Sequence, residues 1–190
     1  MKVVCGLGNP GPEYEDTRHN IGWWVVEEAQ ATWRFPGFRR RGSAFHSEGV
    51  VGTHTVVLVE PLTYMNRSGA VLVPFAQREG FDISRDLLIV VDDVALEPGR
   101  MRLRAGGTAG GHNGLKSVET SLGTREYARL RIGVGAAPEG ADLADWVLSP
   151  YEPDEQQLIT ERLPDFVDAV RLWIEEGVDV AANRYNGRTE

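Results

Sequence analysis

The chain opens on an unbroken apolar run. Lys2-Val3-Val4-Cys5 reads as a short strand, since a strand covered on both faces needs no alternation of polar and apolar positions. Three glycines and two prolines between Gly6 and Pro12 end it, and the apolar stretch from Ile21 through Trp23, Trp24, Val25, Val26 and Ala29 predicts a helix to about Trp33. Phe35 to Arg41, with Pro36, Gly37 and three consecutive arginines, predicts an exposed loop. Phe45 to Val51 and Thr55 to Glu60 predict two strands joined at Gly52-Thr53. A second strand-to-helix connection follows at Pro61 to Gly69. Its helix should run through Ala70, Val73, Phe75 and Ala76 towards Gly80, kinked or interrupted at Pro74.

Leu87-Leu88-Ile89-Val90-Val91 is the strongest strand signal in the chain and ends in Asp92-Asp93. Strict alternation in Arg100-Met101-Arg102-Leu103-Arg104 predicts a strand with one apolar face and one face of arginines. A glycine-rich loop from Gly106 to Gly114 leads into a helix from about Leu115 to Leu122. Ala128 to Gly135 then alternates like another strand, with Arg129 and Arg131 outward. Beyond Pro138 the chain changes character: a short segment around Ala141 to Leu148 with no evident chemistry is followed by a helix from about Pro153 to Glu176, bent at Pro164, and a last one across Val178 to Tyr185. Strands interleaved with helices define an α/β fold: a single domain over residues 1–190, with a mixed central β-sheet flanked by helices on both faces and its last few residues frayed.

Composition narrows the setting. At 190 residues, 42% of them hydrophobic, the chain can bury one sizeable core. No apolar run approaches the roughly 20 residues that span a bilayer, and the opening run is too short for a signal peptide. A cytoplasmic location, with no membrane partner, is the expectation. The single Cys5 lies in the first apolar strand and reads as a buried, inert thiol. The formal net charge of −8 argues against general coating of nucleic acid. However, Arg100, Arg102, Arg104, Lys116, Arg125, Arg129 and Arg131 fall in one section with few acids, and Glu139 to Glu176 is dominated by acids. A basic face on an acidic body suits a short nucleic-acid segment.

Chemistry concentrates in the loops after predicted strands, where α/β proteins keep their sites. Gly6-Leu7-Gly8-Asn9-Pro10-Gly11 satisfies the G-x-G-x-x-G pattern of dinucleotide binding. That motif requires a helix starting inside it, whereas Pro10 and Pro12 intervene and the helical pattern begins only after Asn20. The same turn presents Asn9, Tyr14, Arg18 and His19; the later loops present Tyr64, Asn66, Asp92, Asp93, His112 and Asn113. His19, His112, Asp92 and Asp93 lack the tight spacings of zinc sites. Without a Ser or Cys nucleophile motif, the fitting chemistry is hydrolysis by water that a histidine activates, with carboxamides binding the developing oxyanion and a carboxylate fixing the imidazole tautomer.

These motifs together closely resemble the bacterial-type peptidyl-tRNA hydrolase family. They are Gly6 to Gly11 with Tyr14 and Thr17-Arg18-His19-Asn20, Thr63-Tyr64-Met65-Asn66-Arg67-Ser68-Gly69, Asp92-Asp93, Gly110-Gly111-His112-Asn113-Gly114-Leu115-Lys116-Ser117, and Arg129 to Gly135, in the family order. The resemblance implies a metal-independent, cofactor-free esterase that releases the peptide from the terminal ribose of peptidyl-tRNA and recycles tRNA from aborted translation. It implies His19 as the base, Asp92 as its orienting partner and Asn9 as the group recognising the N-blocked aminoacyl moiety. Tyr64 and Asn66 match positions at the tRNA 3′-terminal adenosine, and Tyr14 and Asn113 match further tRNA contacts, with Asn113 close enough to place water or the carbonyl. Arg102, Arg104 and Arg131 match basic positions that clamp a tRNA phosphate. The chain departs from the family pattern at Ala95, where an acid is usual, and at Glu97, where proline is common. A neutral imidazole is required, so activity should fall on the acid side. Two other readings remain: a non-catalytic module for tRNA or RNA ends, and a nicotinamide-dependent oxidoreductase. Nothing in the sequence demands more than a monomer.

Overall fold

The computed structural model describes residues 1–187; positions 188–190, within the C-terminal stretch expected to fray, lie outside the described residues. The strands are β1 (Lys2–Gly6), β2 (Arg39–Arg41), β3 (Ala44–Val51), β4 (His54–Pro61), β5 (Leu87–Asp93), β6 (Met101–Arg104) and β7 (Ala128–Gly133). They form one sheet in the order β2-β3-β4-β1-β5-β7-β6. The four consecutive strands β4, β1, β5 and β7 run parallel, and antiparallel pairings carry the sheet on to both edges. The helices are α1 (Ile21–Thr32), α2 (Val73–Ala76), α3 (Ile83–Asp86), α4 (Asn113–Leu122), α5 (Leu143–Val147), α6 (Pro153–Glu176) and α7 (Val178–Tyr185), with 3-10 segments at Arg18–Asn20 and Met65–Leu72. None of them is long and apolar enough to cross a membrane.

Successive residues of a strand face opposite sides of its sheet, so the apolar run of β1 feeds two cores. Val4 joins Ile21, Val25, Leu58, Val90, Phe166 and Trp173 beneath α1 and α6, whereas Val3 and Cys5 join Val57, Val59, Ile89, Val91, Leu115 and Val118 beneath α4. Helices therefore cover both faces of a mixed sheet, as the pattern predicts. Contact between α1 and the end of β1 is backbone to backbone. A Cβ on Gly22 would lie 2.5 Å from the Leu7 carbonyl oxygen and 2.6 Å from that of Val90, and one on Gly8 would lie 2.7 Å from the Trp23 ring. Gly8 thus makes room for an indole, which accounts for one glycine of the dinucleotide-like pattern by packing alone.

Two elements differ from expectation, and a third, α6, runs over the span expected of it. Arg39–Arg41 is a strand, β2, because an edge strand needs a partner on one side only, here His46, Phe45 and Ala44 of β3, and tolerates charge on the other. The helix expected after Gly69 is replaced by a 3-10 segment that begins earlier, at Met65, followed by the one-turn α2, whose first turn holds Pro74. Proline in a first turn has no backbone bond to lose, so it starts that helix instead of kinking it. As expected, α6 spans Pro153–Glu176 with Pro164 inside it; the proline is on the exposed side, where water can take over the lost backbone bond.

Candidate active site

The carboxyl ends of the parallel strands meet at a cavity of about 530 Å³. Strand order reverses at β1, which has β4 on one side and β5 on the other, and such switch points open a crevice above the sheet. Eight of the site residues expected from the sequence line this cavity: Asn9, Tyr14, His19, Tyr64, Asn66, Asp92, Asn113 and Arg131. Arg102 and Arg104 do not line it. They stand exposed on β6, outside the cavity.

The 3-10 turn Arg18–Asn20 sets the geometry of the floor. Such a turn has three residues per revolution, so consecutive side chains point about 120° apart. Arg18, His19 and Asn20 accordingly reach three different structures. His19 Nδ1 meets Asp92 Oδ1 at 2.9 Å, and its Nε2 has no protein partner among the described residues. Asn20 pairs with both sides of the Asn9 peptide group, its Oδ1 accepting from the Asn9 backbone N–H at 2.9 Å and its Nδ2 donating to the Asn9 carbonyl at 3.0 Å. Asn9 is thereby fixed from below. Its own Oδ1 accepts from the Met65 backbone N–H at 2.8 Å, which settles the orientation of the carboxamide and leaves Nδ2 as a donor on the cavity side.

Asp92 is 2% exposed and its Oδ1 accepts a second bond, from His112 Nε2 at 2.8 Å. Burial works against ionising this carboxyl, but the two imidazoles beside it outweigh burial and hold it below the ordinary carboxylate range. His112 caps α4: its Nδ1 accepts from the backbone N–H of Gly114 at 3.1 Å and of Leu115 at 3.4 Å. Nδ1 therefore carries a lone pair, the ring proton sits on Nε2, and His112 donates to Asp92 as a neutral imidazole. The donor atoms of His19, Asp92 and His112 lie within 4.8 Å of one another, a spacing that could hold a metal ion. A metal at His112 Nε2 would force the proton onto Nδ1, opposite two backbone donors. The cap disfavours that arrangement.

Sequence reasoning misses the roles of His112 and Asn20 and the part that α5 plays in the cavity. The signal for His112 is its place directly before a helix, but histidine is not among the usual capping residues, so the position does not announce itself. The segment Ala141 to Leu148, which shows no evident chemistry in the sequence, forms α5 and one wall of the cavity through Leu143, Ala144, Val147 and Leu148. Arg18, expected in an exposed turn, is 1% exposed.

The arginines of β6 and β7 share one face but not one environment. Arg131 donates to Asp93 Oδ2 at 3.3 Å and to the Thr108 carbonyl at 3.0 Å, anchoring the glycine-rich loop beside the cavity. Arg129 is buried over the Tyr127 ring, at 4.3 Å from its centroid, and donates to the carbonyls of Thr108 and Arg125. Neither the Cys5 thiol, pushed well up by burial and by Glu60, nor Glu60 itself lines the cavity.

A family model described as peptidyl-tRNA hydrolase matches residues 3–190. Peptidyl-tRNA hydrolase from Gemmatimonas aurantiaca is 48% identical over 186 residues, covering 96% of this chain and 98% of that protein. That from Symbiobacterium thermophilum is 44% identical over 195 residues, covering 97% and 98%. The crystal structure of peptidyl-tRNA hydrolase from Acinetobacter baumannii superposes with a TM-score of 0.91 at 33% identity, over all of this chain and 96% of that one. With its motifs gathered around one cavity and nearly its whole length shared with these relatives, the chain belongs to the peptidyl-tRNA hydrolase family.

Proposed function

We propose that this protein hydrolyses the ester between the peptide and the 3′-terminal ribose of peptidyl-tRNA, as a single catalytic domain acting in monomeric form in the cytoplasm. The observation that carries this reading is the pairing of His19 Nδ1 with Asp92, which leaves Nε2 free on the cavity side. An imidazole held in that tautomer can take a proton from water as the water oxygen attacks the ester carbonyl carbon. The negative charge that develops on the carbonyl oxygen then needs donors. Asn9 Nδ2 and the Asn113 carboxamide, both at the cavity, are suited to supply them, and the fixed orientation of Asn9 means that little reorganisation accompanies charge development. On collapse, the bond from the carbonyl carbon to the ribose oxygen breaks, and that oxygen takes the proton back from His19. The products are a peptide carboxylate and a tRNA with a free terminal hydroxyl.

Asp92, kept ionised by two imidazoles, stabilises the imidazolium formed midway. No metal is needed for these steps, and the His112 cap works against one at this cluster. Tyr64, 60% exposed at the cavity mouth, and Asn66 are suited to the terminal adenosine; Tyr14 sits on the same rim. Arg131, Arg102 and Arg104 lead away from the cavity along the sheet edge and are suited to the phosphates of the acceptor end.

The test is release of N-acetylated aminoacyl groups from tRNA by the wild-type protein and by His19→Ala, with a chelator present and unblocked aminoacyl-tRNA run in parallel. Chelator-resistant hydrolysis of the blocked substrate alone, lost in the variant, is expected. Retained tRNA binding with no hydrolysis by the wild type would leave a binding module in place of an enzyme.

A further inference from the structure

Of the three residues that the 3-10 turn sends apart, His19 and Asn20 serve the floor, and Arg18 turns away from it. Its guanidinium is buried, yet its partners all belong to a stretch more than 125 residues later in the chain. Nη1 donates to Ser149 Oγ at 2.7 Å and to the carbonyls of Ser149 and Pro150. Nη2 pairs with Glu155 near the start of α6, a carboxylate that also accepts from the Glu152 backbone N–H at 3.0 Å. The planar group lies over the Trp146 ring, 3.6 Å from its centroid, and 5.2 Å from that of Tyr151. The main chain adds to this: the Arg18 backbone N–H donates to the Ser149 carbonyl at 3.1 Å, and Thr17 bridges to Pro150.

Trp146 belongs to α5, as do Leu143, Ala144 and Val147 of the cavity wall. The helix thus shows its small apolar residues to the cavity and its indole to Arg18, and the indole N–H is tied to the Gly135 carbonyl at 2.9 Å. With five residues, α5 is too short to hold its own place. We propose that Arg18 is a positioning residue that fixes the α5 wall against the turn carrying His19, and that this wall takes the side chain of the amino acid whose ester is cleaved. The inference rests on the hydrolase reading given above. Apolar Leu143, Val147 and Leu148 face the cavity, and Leu143 and Leu148 are 53% and 38% exposed there, surface that a large apolar side chain would cover. Lysine cannot replace the guanidinium: one ammonium cannot bond Ser149, Pro150 and Glu155 together while lying flat on an indole.

The experiment compares N-acetyl-leucyl and N-acetyl-glycyl esters carried on one and the same tRNA, with wild type, Arg18→Lys and Trp146→Leu, at a temperature where each variant is folded by thermal melting. In the wild type, kcat/KM should favour leucyl over glycyl by about tenfold, the scale on which an apolar pocket discriminates. In either variant that ratio should contract to below about threefold, through a slower reaction of the leucyl ester, with inhibition by deacylated tRNA unchanged. Trp146→Leu keeps the question open to test if Arg18→Lys does not fold. A preserved ratio in folded variants would overturn the proposal and leave Arg18 a purely structural residue. No hydrolysis of either ester by the wild type would instead overturn the hydrolase reading itself.

Discussion

The floor of the cavity and the arginine rim of β6 and β7 are both built at strand ends or edges, and both present charged side chains in a regular order, yet they are held in opposite ways. On the floor each polar side chain is held in place by a named protein partner at one of its atoms: Asn20 by Asn9, Asn9 by Met65, His19 and His112 by Asp92. Along the rim, Arg102 pairs in register with Arg131 and Arg104 with Arg129, so all four lie on one face. Their surroundings then grade from the interior strand to the edge. Arg129 is sealed, Arg131 is tied to Asp93 and a loop carbonyl, and Arg102 and Arg104 are exposed with no carboxylate partner among the described residues. Alternation in a sequence therefore assigns a face; the place of the strand in the sheet decides whether a cation on that face is structural, part of a site, or free to meet a phosphate.

The comparison would break first at Asp92. If the floor works through fixed partners, Asp92→Asn, which preserves shape and removes charge and the imposed tautomer, should lower kcat by about 10²–10⁴-fold. It should do so with little change in tRNA affinity. A decrease of about tenfold or less would mean that His19 holds its orientation without the carboxylate.

A second probe is Glu60, a buried polar group that does not line the cavity. It is 4% exposed, its Oε1 has no hydrogen-bond partner among the described residues, and burial together with Glu27 pushes its carboxyl up to about 8. Glu27 is itself raised by burial and by Glu15, and Cys5 is the neighbouring thiol. Because the folded value is raised above the unfolded 4.5, Glu60 contributes its full stability below the unfolded value and loses it as pH rises towards the folded one. Stability should therefore fall by up to about 1.4 kcal/mol per pH unit between those values. Glu60→Gln, which mimics the protonated acid, should match wild type near pH 4.5 and exceed it at about pH 8 in denaturant melts. Parallel stability curves would show that Glu60 ionises without cost.

The smallest effects belong to the rim. Replacing Arg102 or Arg104 by alanine should leave the fold and kcat unchanged and lower the salt dependence of tRNA binding by about 0.7–0.9 in the log–log slope for each phosphate no longer neutralised. Unchanged slopes would remove both residues from the phosphate path and leave Arg131 alone in it.

Much of this molecule is readable in its residues, for identifiable reasons. Leu87 to Val91 admits only a buried strand, so the carboxylates after it have to stand at a strand end, and Asp92 does. Strand 39–41 is not readable, since three arginines form a strand only where a neighbour offers hydrogen bonds on one side, information held in β3. The 3-10 segment Met65–Leu72 reads as a loop up to Gly69 and the start of a regular helix beyond it, because its short turns leave no apolar period of their own over eight residues. The burial of Arg18 is not readable because its partners Ser149, Pro150 and Glu155 lie far along the chain, and burial of a guanidinium has no local signature. His112 is visible as a residue but not as a link, because its bonds join a helix start to a strand end.

The bond between Arg18 and Glu155 spans 137 residues, and that separation is also an interval of time. Chains grow from the N-terminus at about 5–20 residues per second, so roughly ten seconds pass between the synthesis of these two partners. During that interval His19, Asp92 and the cap of α4 are all made, while the guanidinium has nothing to close upon and the apolar wall does not yet exist. The contacts that close on Arg18, from Trp146 to Glu155, thus belong to the last quarter of the chain to be made.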